Sequence, residues 1–219
     1  MTIARYLSKF AKSLTSDGKM IGSGISTNTL DSNKFESGVL YNYRNRILNG
    51  DMRIAQRGTS FAAVNNAYLL DRWRYGKSSD AVITFTQSTD VPANSGLSNS
   101  LRVTVNTADT SIAAGEYSVI NQSIEGYNVA DLVGNTFTLS FWVKSSKTGI
   151  HCFKLGNING DRSYIAEYTI SAANTWEKKI ITISVGIPAD GTWNYTNGAG
   201  LSVSWNLFMG SDRQSPTTN

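Results

Sequence analysis

"GLSVSWNLFMG" occupies residues 200–210, and its pattern decides the fold. Leu201, Val203, Trp205, Leu207 and Met209 fall on one side, with Ser202, Ser204 and Asn206 between them. Side chains alternate faces along an extended chain, so this period of two predicts a half-buried strand. "AVITFTQS" (81–88) sets Ile83 and Phe85 against Val82, Thr84 and Thr86, and "LRVTVN" (101–106) sets Leu101, Val103 and Val105 against Arg102, Thr104 and Asn106. "TFTLSFWVKS" (136–145) gathers Phe137, Leu139, Phe141 and Val143, and "KKIITISVG" (178–186) repeats the theme. Gly, Asn, Asp and Ser separate these runs, with Pro92 and Pro188 among them, as turns require. One helical turn is expected at 127–134, capped by Asn128 and ended by Gly134. The pattern predicts a mainly β fold, a jelly-roll β-sandwich over residues 44–210.

Composition sets the bounds. The chain has 219 residues, 40% of them hydrophobic and only 16% charged. A surface poor in charge must be built from Ser, Thr, Asn and Gly. The net charge of +4 is spread without a basic run, so no nucleic-acid partner is expected. One cysteine, Cys152, rules out an intrachain disulfide and any site needing two thiolates from one chain. No run approaches the roughly 18 apolar residues of a membrane span, so membrane insertion is not expected. The start has no continuous apolar core of a secretory signal, so synthesis in a cytoplasm is expected.

Ahead of the sandwich, residues 1–14 read as a short amphipathic helix with Ile3, Leu7, Phe10 and Leu14 on one face. A helix this short is marginal alone in water, so the face needs a partner. Its own domain, symmetry mates, another protein and a membrane surface are the candidates. The linker that follows favours another protein or symmetry mates. Residues 15–43 are an extended linker rich in Gly, Ser, Thr and Asn. Residues 211–219 are read as a tail leading on into further sequence.

Candidates for chemistry are sparse. His151 and Cys152 are each the sole residue of their type and are adjacent on an expected strand, so they point to opposite faces. No second histidine exists to complete a Ser-His-Asp arrangement. The carboxylates lie mostly in expected turns or beside basic residues and read as surface charges. "GNINGDRS" (156–163) has metal-friendly residues, but Asn-Gly is a hairpin signal and the turn is the simpler reading. No catalytic residue is assigned, and an enzyme is not expected. Trp193 and Tyr195 lie in an expected loop, "DGTWNYTNGAG" (190–200). There they either stack on the apolar face of a sugar or cover neighbouring strands or a subunit interface.

"NRILNGDMRIAQRGTSF" (45–61) and "YLLDRWRY" (68–75) add a resemblance. Asn45 to Asp51, Gln56 to Ser60 and Asp71 to Trp73 resemble a module of bacteriophage tail-fibre and related virion proteins, particularly of cyanobacterial phages. "GNTFTLSFWVKSSKTG" (134–149) and "EYTISAANTWEKKIITI" (167–183) resemble it too. The opening is also similar to jelly-roll carbohydrate-binding modules, with Met52 where those carry an aromatic. The resemblance implies a homotrimeric tail fibre in the virion. It implies docking to tail adaptor or nozzle proteins through the N-terminal helix, a β domain displayed to a host-surface glycan, and room for a structural calcium ion with no distinctive ligand set. A capsid decoration protein, a non-viral carbohydrate-binding module and a depolymerase are the alternatives. Read from the residues, the motif is scaffolding. Ile47 and Leu48 begin a strand, and Asn49, Gly50 and Asp51 form a turn. Gln56, Arg57 and Gly58 form a second turn, and Asp71 pairs with Arg53 or Arg57 or caps a loop. Arg72 leads into Trp73, which covers the entrance to the core.

Overall fold

The structure, a computed structural model, describes residues 45–214. The expected helix with Ile3, Leu7, Phe10 and Leu14, the whole of the expected linker at 15–43, and residues 215–219 lie outside the described residues. The described chain forms ten strands: β1 Ser60–Ala62, β2 Arg74–Ser78, β3 Val82–Ser88, β4 Ser100–Thr107, β5 Tyr117–Glu125, β6 Phe137–Val143, β7 Gly149–Gly156, β8 Ser163–Ile170, β9 Glu177–Ile183 and β10 Ala199–Met209. A five-stranded sheet has the order β2-β5-β10-β7-β8, a three-stranded sheet β1-β3-β4 and a two-stranded sheet β6-β9. Every strand pairing is antiparallel. The fold is a mainly β, jelly-roll-like sandwich.

Two apolar clusters show how the layers meet. In one, Phe153 of β7, Ala166 of β8, and Leu201 and Val203 of β10 gather with Ile183 of β9, and Leu139 of β6 packs against them. In the other, Tyr75 of β2 and Ile120 of β5 gather with Ile83 and Phe85 of β3. The five-stranded sheet is therefore covered by β6-β9 over its β7-β8 half and by β1-β3-β4 over its β2-β5 half. Trp205 packs on both clusters. It lies 5.5 Å from Trp73 and 5.4 Å from Phe141, and Phe141 lies 5.1 Å from Tyr168. These offset and edge contacts are the arrangement aromatic quadrupoles favour. They make one aromatic seam across the sandwich interior.

Alternation predicts β3 and β6 well. Ile83 and Phe85 are buried, and Trp142, on the far side of β6 from Phe141, is exposed. In β10 the expected face breaks after Trp205. The register passes from Asn206 opposite Val119 to Phe208 opposite Ser118, so one extra residue bulges out. Beyond the bulge Phe208 packs on the core, Leu207 is exposed, and Met209 turns to the outer side. Val105, expected on the buried face, is also exposed on the terminal strand of its sheet.

Two other expectations are corrected. Ile47 and Leu48 do not begin a strand; Leu48 to Asp51 is a turn. The backbone of Leu48 is satisfied instead by one buried side chain. Its N–H donates to Gln122 Oε1, and its carbonyl accepts from Gln122 Nε2, both at 2.8 Å. The region 127–134 holds two short 3-10 turns, Gly126–Asn128 and Ala130–Leu132, neither with a side-chain cap. Asn128 ends the first turn, and Gly134 (φ 65) follows the second, donating its N–H to Ile187.

The opening motif builds a closed scaffold. Asn49 donates through Nδ2 to the carbonyls of Ile54 and Asp71 and accepts from Ile54 N, each at 2.9 Å. Asp71 caps the second turn by accepting from the N–H of Gln56, and it pairs with Arg57 at 3.5 Å. Arg53 faces Asp51 instead, at 3.8 Å. Gly58 (φ 117) supplies a backbone conformation that a side chain would oppose. Arg72 bonds Glu125 at 2.6 Å, and Trp73 is buried in the core.

Candidate functional site

The face of the five-stranded sheet turned away from the core is polar. Strand register places Arg74 opposite Asn121, Asn121 opposite Ser204, Ser204 opposite Lys154, and Lys154 opposite Ile165. A second row runs Ser123, Ser202, Gly156, Ser163. As far as Lys154 and Gly156 these rows floor a hollow of about 320 Å³, bounded at one end by Asn157, Ile158 and Gly160 of the β7-β8 hairpin. Among the described residues, the side chains of Asn121, Ser123, Ser202 and Lys154 make no bond to protein. Arg74 Nε and Asn206 Oδ1 are buried without a partner on the same face. Unpaired donors and acceptors in a concave surface are what a polar ligand needs for orientation.

On the other side of the hairpin a second hollow, about 520 Å³, is lined by Trp193, Tyr195, Asn194 and Asn159. Ile158, exposed at the hairpin tip, lines both. The loop carrying Trp193 and Tyr195 is held by close backbone approach. A Cβ at Gly200 would lie 2.6 Å from the Asn194 carbonyl, so only glycine lets this loop settle on β10. Tyr127 N–H donates to Thr196 O at 2.9 Å, and Trp193 Nε1 donates to Asp190 O at 2.7 Å. Both aromatics are half-buried and pack on the core beneath, so each presents part of its ring to the hollow. The Tyr195 hydroxyl is buried and unpaired, and burial pushes its pKa up.

The hairpin is braced by carboxylates. Asp161 accepts from Asn157 Nδ2 and from the Thr192 N–H and hydroxyl. The Asn157 amide foremost holds the Asp161 carboxyl below the usual carboxylate range. Arg162 forms a fork on Asp190 at 2.7 and 3.1 Å. The residues 156–163 are thus a structural hairpin tied to the aromatic loop. Among the described residues no group of three or more His, Cys, Asp or Glu side chains is placed to hold a metal. No described helix is long and apolar enough to cross a membrane.

No family model matches the chain, and no curated protein matches it. Solved structures do. The enzymatically active domain of tailspike protein 4 from bacteriophage CBA120 is similar over 75% of this chain, at 20% identity and a TM-score of 0.48. This chain spans only 19% of that protein's length. Two structures of the family 11 carbohydrate-binding module of Clostridium thermocellum are also similar, both with a TM-score of 0.35. One belongs to a cellulosomal cellulase, at 15% identity over 66% of this chain and 90% of that one. The other is in complex with a β-1,3-1,4-mixed-linked tetrasaccharide, at 14% identity over 71% of this chain and 98% of that one.

Of the residues expected at a site, Trp193 and Tyr195 share the second hollow. The motif from Asn49 to Trp73 lies apart, against β5 and the second core cluster. Lys154, Asn121, Ser123 and Ser202 were not singled out from the sequence. Their signal is weak: "YSVINQSIE" (117–125) places polar residues on both faces of β5, and only register shows which rows align. His151 and Cys152 point oppositely, as expected. His151 stacks on Tyr168 at 5.7 Å inside, and Cys152 stands beside Glu167 on the outer face.

Proposed function

We propose that this chain is a phage virion appendage protein whose β domain binds a host-surface glycan across the outer face of its five-stranded sheet. The observation that carries the reading is the pair of hollows meeting at Ile158. One is floored by unpaired Asn, Ser and Lys side chains, and the other is walled by partial faces of Trp193 and Tyr195. Sugars offer hydroxyls for the first surface and apolar ring faces for the second. The lining of both hollows includes no Asp or Glu, which favours retention of the glycan over its hydrolysis. The virion part of the reading rests on the motif between Asn45 and Trp73 and its resemblance to tail-fibre proteins. In this account residues 1–14 dock a homotrimer to tail adaptor or nozzle proteins through Ile3, Leu7, Phe10 and Leu14.

Two experiments test it. The labelled full chain is applied to an immobilised panel of oligosaccharides, and at least one is retained uncleaved. Retention falls with Asn121→Ala. Gold-labelled antibody against the chain decorates the tails of the phage that encodes it. Label over the capsid instead would make the chain a capsid decoration protein. Absence from particles would remove the virion role and leave a glycan-binding module.

A further inference from the structure

We infer that the glycan is acidic, with a carboxylate of a uronic acid residue received by Lys154; this rests on the glycan-binding reading above. Lys154 stands last of the four polar positions, after Arg74, Asn121 and Ser204, in the row that floors the first hollow. Its ammonium has no carboxylate partner among the described residues, a state it shares with Arg74, Lys77, Arg102, Lys147, Lys178 and Arg213; of these only Lys154 and Arg74 line the hollow. Glu167 is the nearest acid by register, and it stands opposite Cys152, outside the lining. Glu125, at the far end of β5, is taken by Arg72.

The direction of the Lys154 side chain is set by its neighbour. A Cβ at Gly156 would lie 3.1 Å from Lys154 Cε and 3.2 Å from the Arg162 carbonyl. The lysine stem therefore lies along β7 over the notch that glycine leaves. Its charge is carried toward the hairpin where the two hollows meet. Arg74 gives the lining its second positive charge, three strands away, or about 14 Å at the usual strand spacing of about 4.8 Å. That guanidinium is already engaged by Asn66 and lies over Tyr68, so it sets the sign of the potential more than it grips. A half-buried cation with no counter-charge in a concave surface holds an unbalanced field. A carboxylate on the ligand balances it, and a neutral glucan does not. No aromatic side chain lines this first hollow, so a flat stacking platform for a neutral sugar is lacking there.

The test uses the full chain and a panel of matched pairs, each an acidic oligosaccharide (oligogalacturonate, oligomannuronate, oligoglucuronate) and the same oligosaccharide with its carboxyls reduced to alcohols. Binding is read by titration calorimetry at low and moderate salt. The expected result is that at least one acidic member binds at least tenfold more tightly than its reduced counterpart. Lys154→Met abolishes that preference and Lys154→Arg restores part of it. Equal binding of acidic and reduced members, or a preference that survives Lys154→Met, overturns the inference and leaves the glycan reading standing. If no member of any pair binds, and a neutral oligosaccharide panel is also not retained, the glycan reading itself is overturned and the inference with it.

Discussion

The indole N–H of Trp73 donates to the backbone carbonyl of Asn49 at 3.0 Å. That one bond ties the first turn of the domain to the aromatic seam, because Trp73 is buried against Trp205. Asn49 itself adopts φ 50, a left-handed conformation that asparagine tolerates better than most residues. Its side chain then closes the turn on Ile54 and Asp71.

Asn49→Ala removes three hydrogen bonds and leaves alanine in the left-handed region. The expected loss is about 2–3 kcal/mol of folding stability, read from urea denaturation with an unchanged slope. A loss below about 0.5 kcal/mol would mean that the turn does not anchor the domain.

Gln122 does the work of a missing strand. Its amide is buried and satisfies both backbone groups of Leu48. Gln122→Leu orphans those groups and is expected to cost about 2–3 kcal/mol. Gln122→Glu is expected to cost more at pH 7, where the carboxylate cannot donate to the Leu48 carbonyl and its charge is buried. Part of that cost returns at pH 4 as the carboxyl protonates. Equal destabilisation by Gln122→Glu at both pH values would contradict this.

Why was half of the sandwich legible from sequence and half not? Strands such as β3 and β6 have a wet face and a dry one, so hydrophobicity alternates with the pleat. In β5 the core-side positions include Ser118 and Gln122. Ser118 bonds the Tyr75 hydroxyl inside the core at 2.7 Å, and Gln122 bonds Leu48. Both are polar for a tertiary reason that no local pattern carries. The β10 bulge is equally silent, since Leu207-Phe208-Met209 is apolar at all three positions and either facing fits. Trp193 and Tyr195 were visible as loop aromatics. The Arg74-Asn121-Ser204-Lys154 row was not, because it joins four strands that are distant in sequence.

Four carboxylates, exposed Asp90, Asp161 and Asp190 and half-buried Glu177, make stability depend on pH. Lys144 and Trp176 hold Asp90 below its ordinary 3.8, Asn157 and Thr192 do so for Asp161, Arg162 does so for Asp190, and Lys179 and backbone donors hold Glu177 below its ordinary 4.5. Each folded value lies under the unfolded one, so near pH 4 the unfolded chain binds more protons. Their stabilisation is present in full above those ordinary values and is lost as pH falls through the depressed ones. The thermal midpoint is expected to hold between pH 7 and 5 and to fall steadily below pH 4. Asp161→Asn is expected to flatten part of that fall; a midpoint constant down to pH 3 would contradict it.

Burial shapes two further groups near the β7-β8 pair. It pushes the Tyr168 phenol up to about 12, with the neighbouring Cys152 adding to the shift. It also pushes the Cys152 thiol above its usual range, with Glu167 adding to that shift. At pH 8 Cys152 is expected to react with a disulfide reagent at least several-fold more slowly than free cysteine, since only the thiolate attacks. Ultraviolet titration of Tyr168→Phe should lose a phenol ionising near 12. A fast thiol would show that Cys152 is not protected as described.

The most direct test of the glycan-binding face is a map of contacts. Backbone and indole resonances of the isotopically labelled full chain are followed while the best-retained oligosaccharide of the panel is added. The account predicts shifts confined to Asn121, Ser123, Lys154, Ser202, the 157–160 hairpin and the Trp193 indole. Shifts centred on Trp142 and Ile180, on the outer face of β6-β9, would place the ligand on the opposite side of the sandwich and contradict the account.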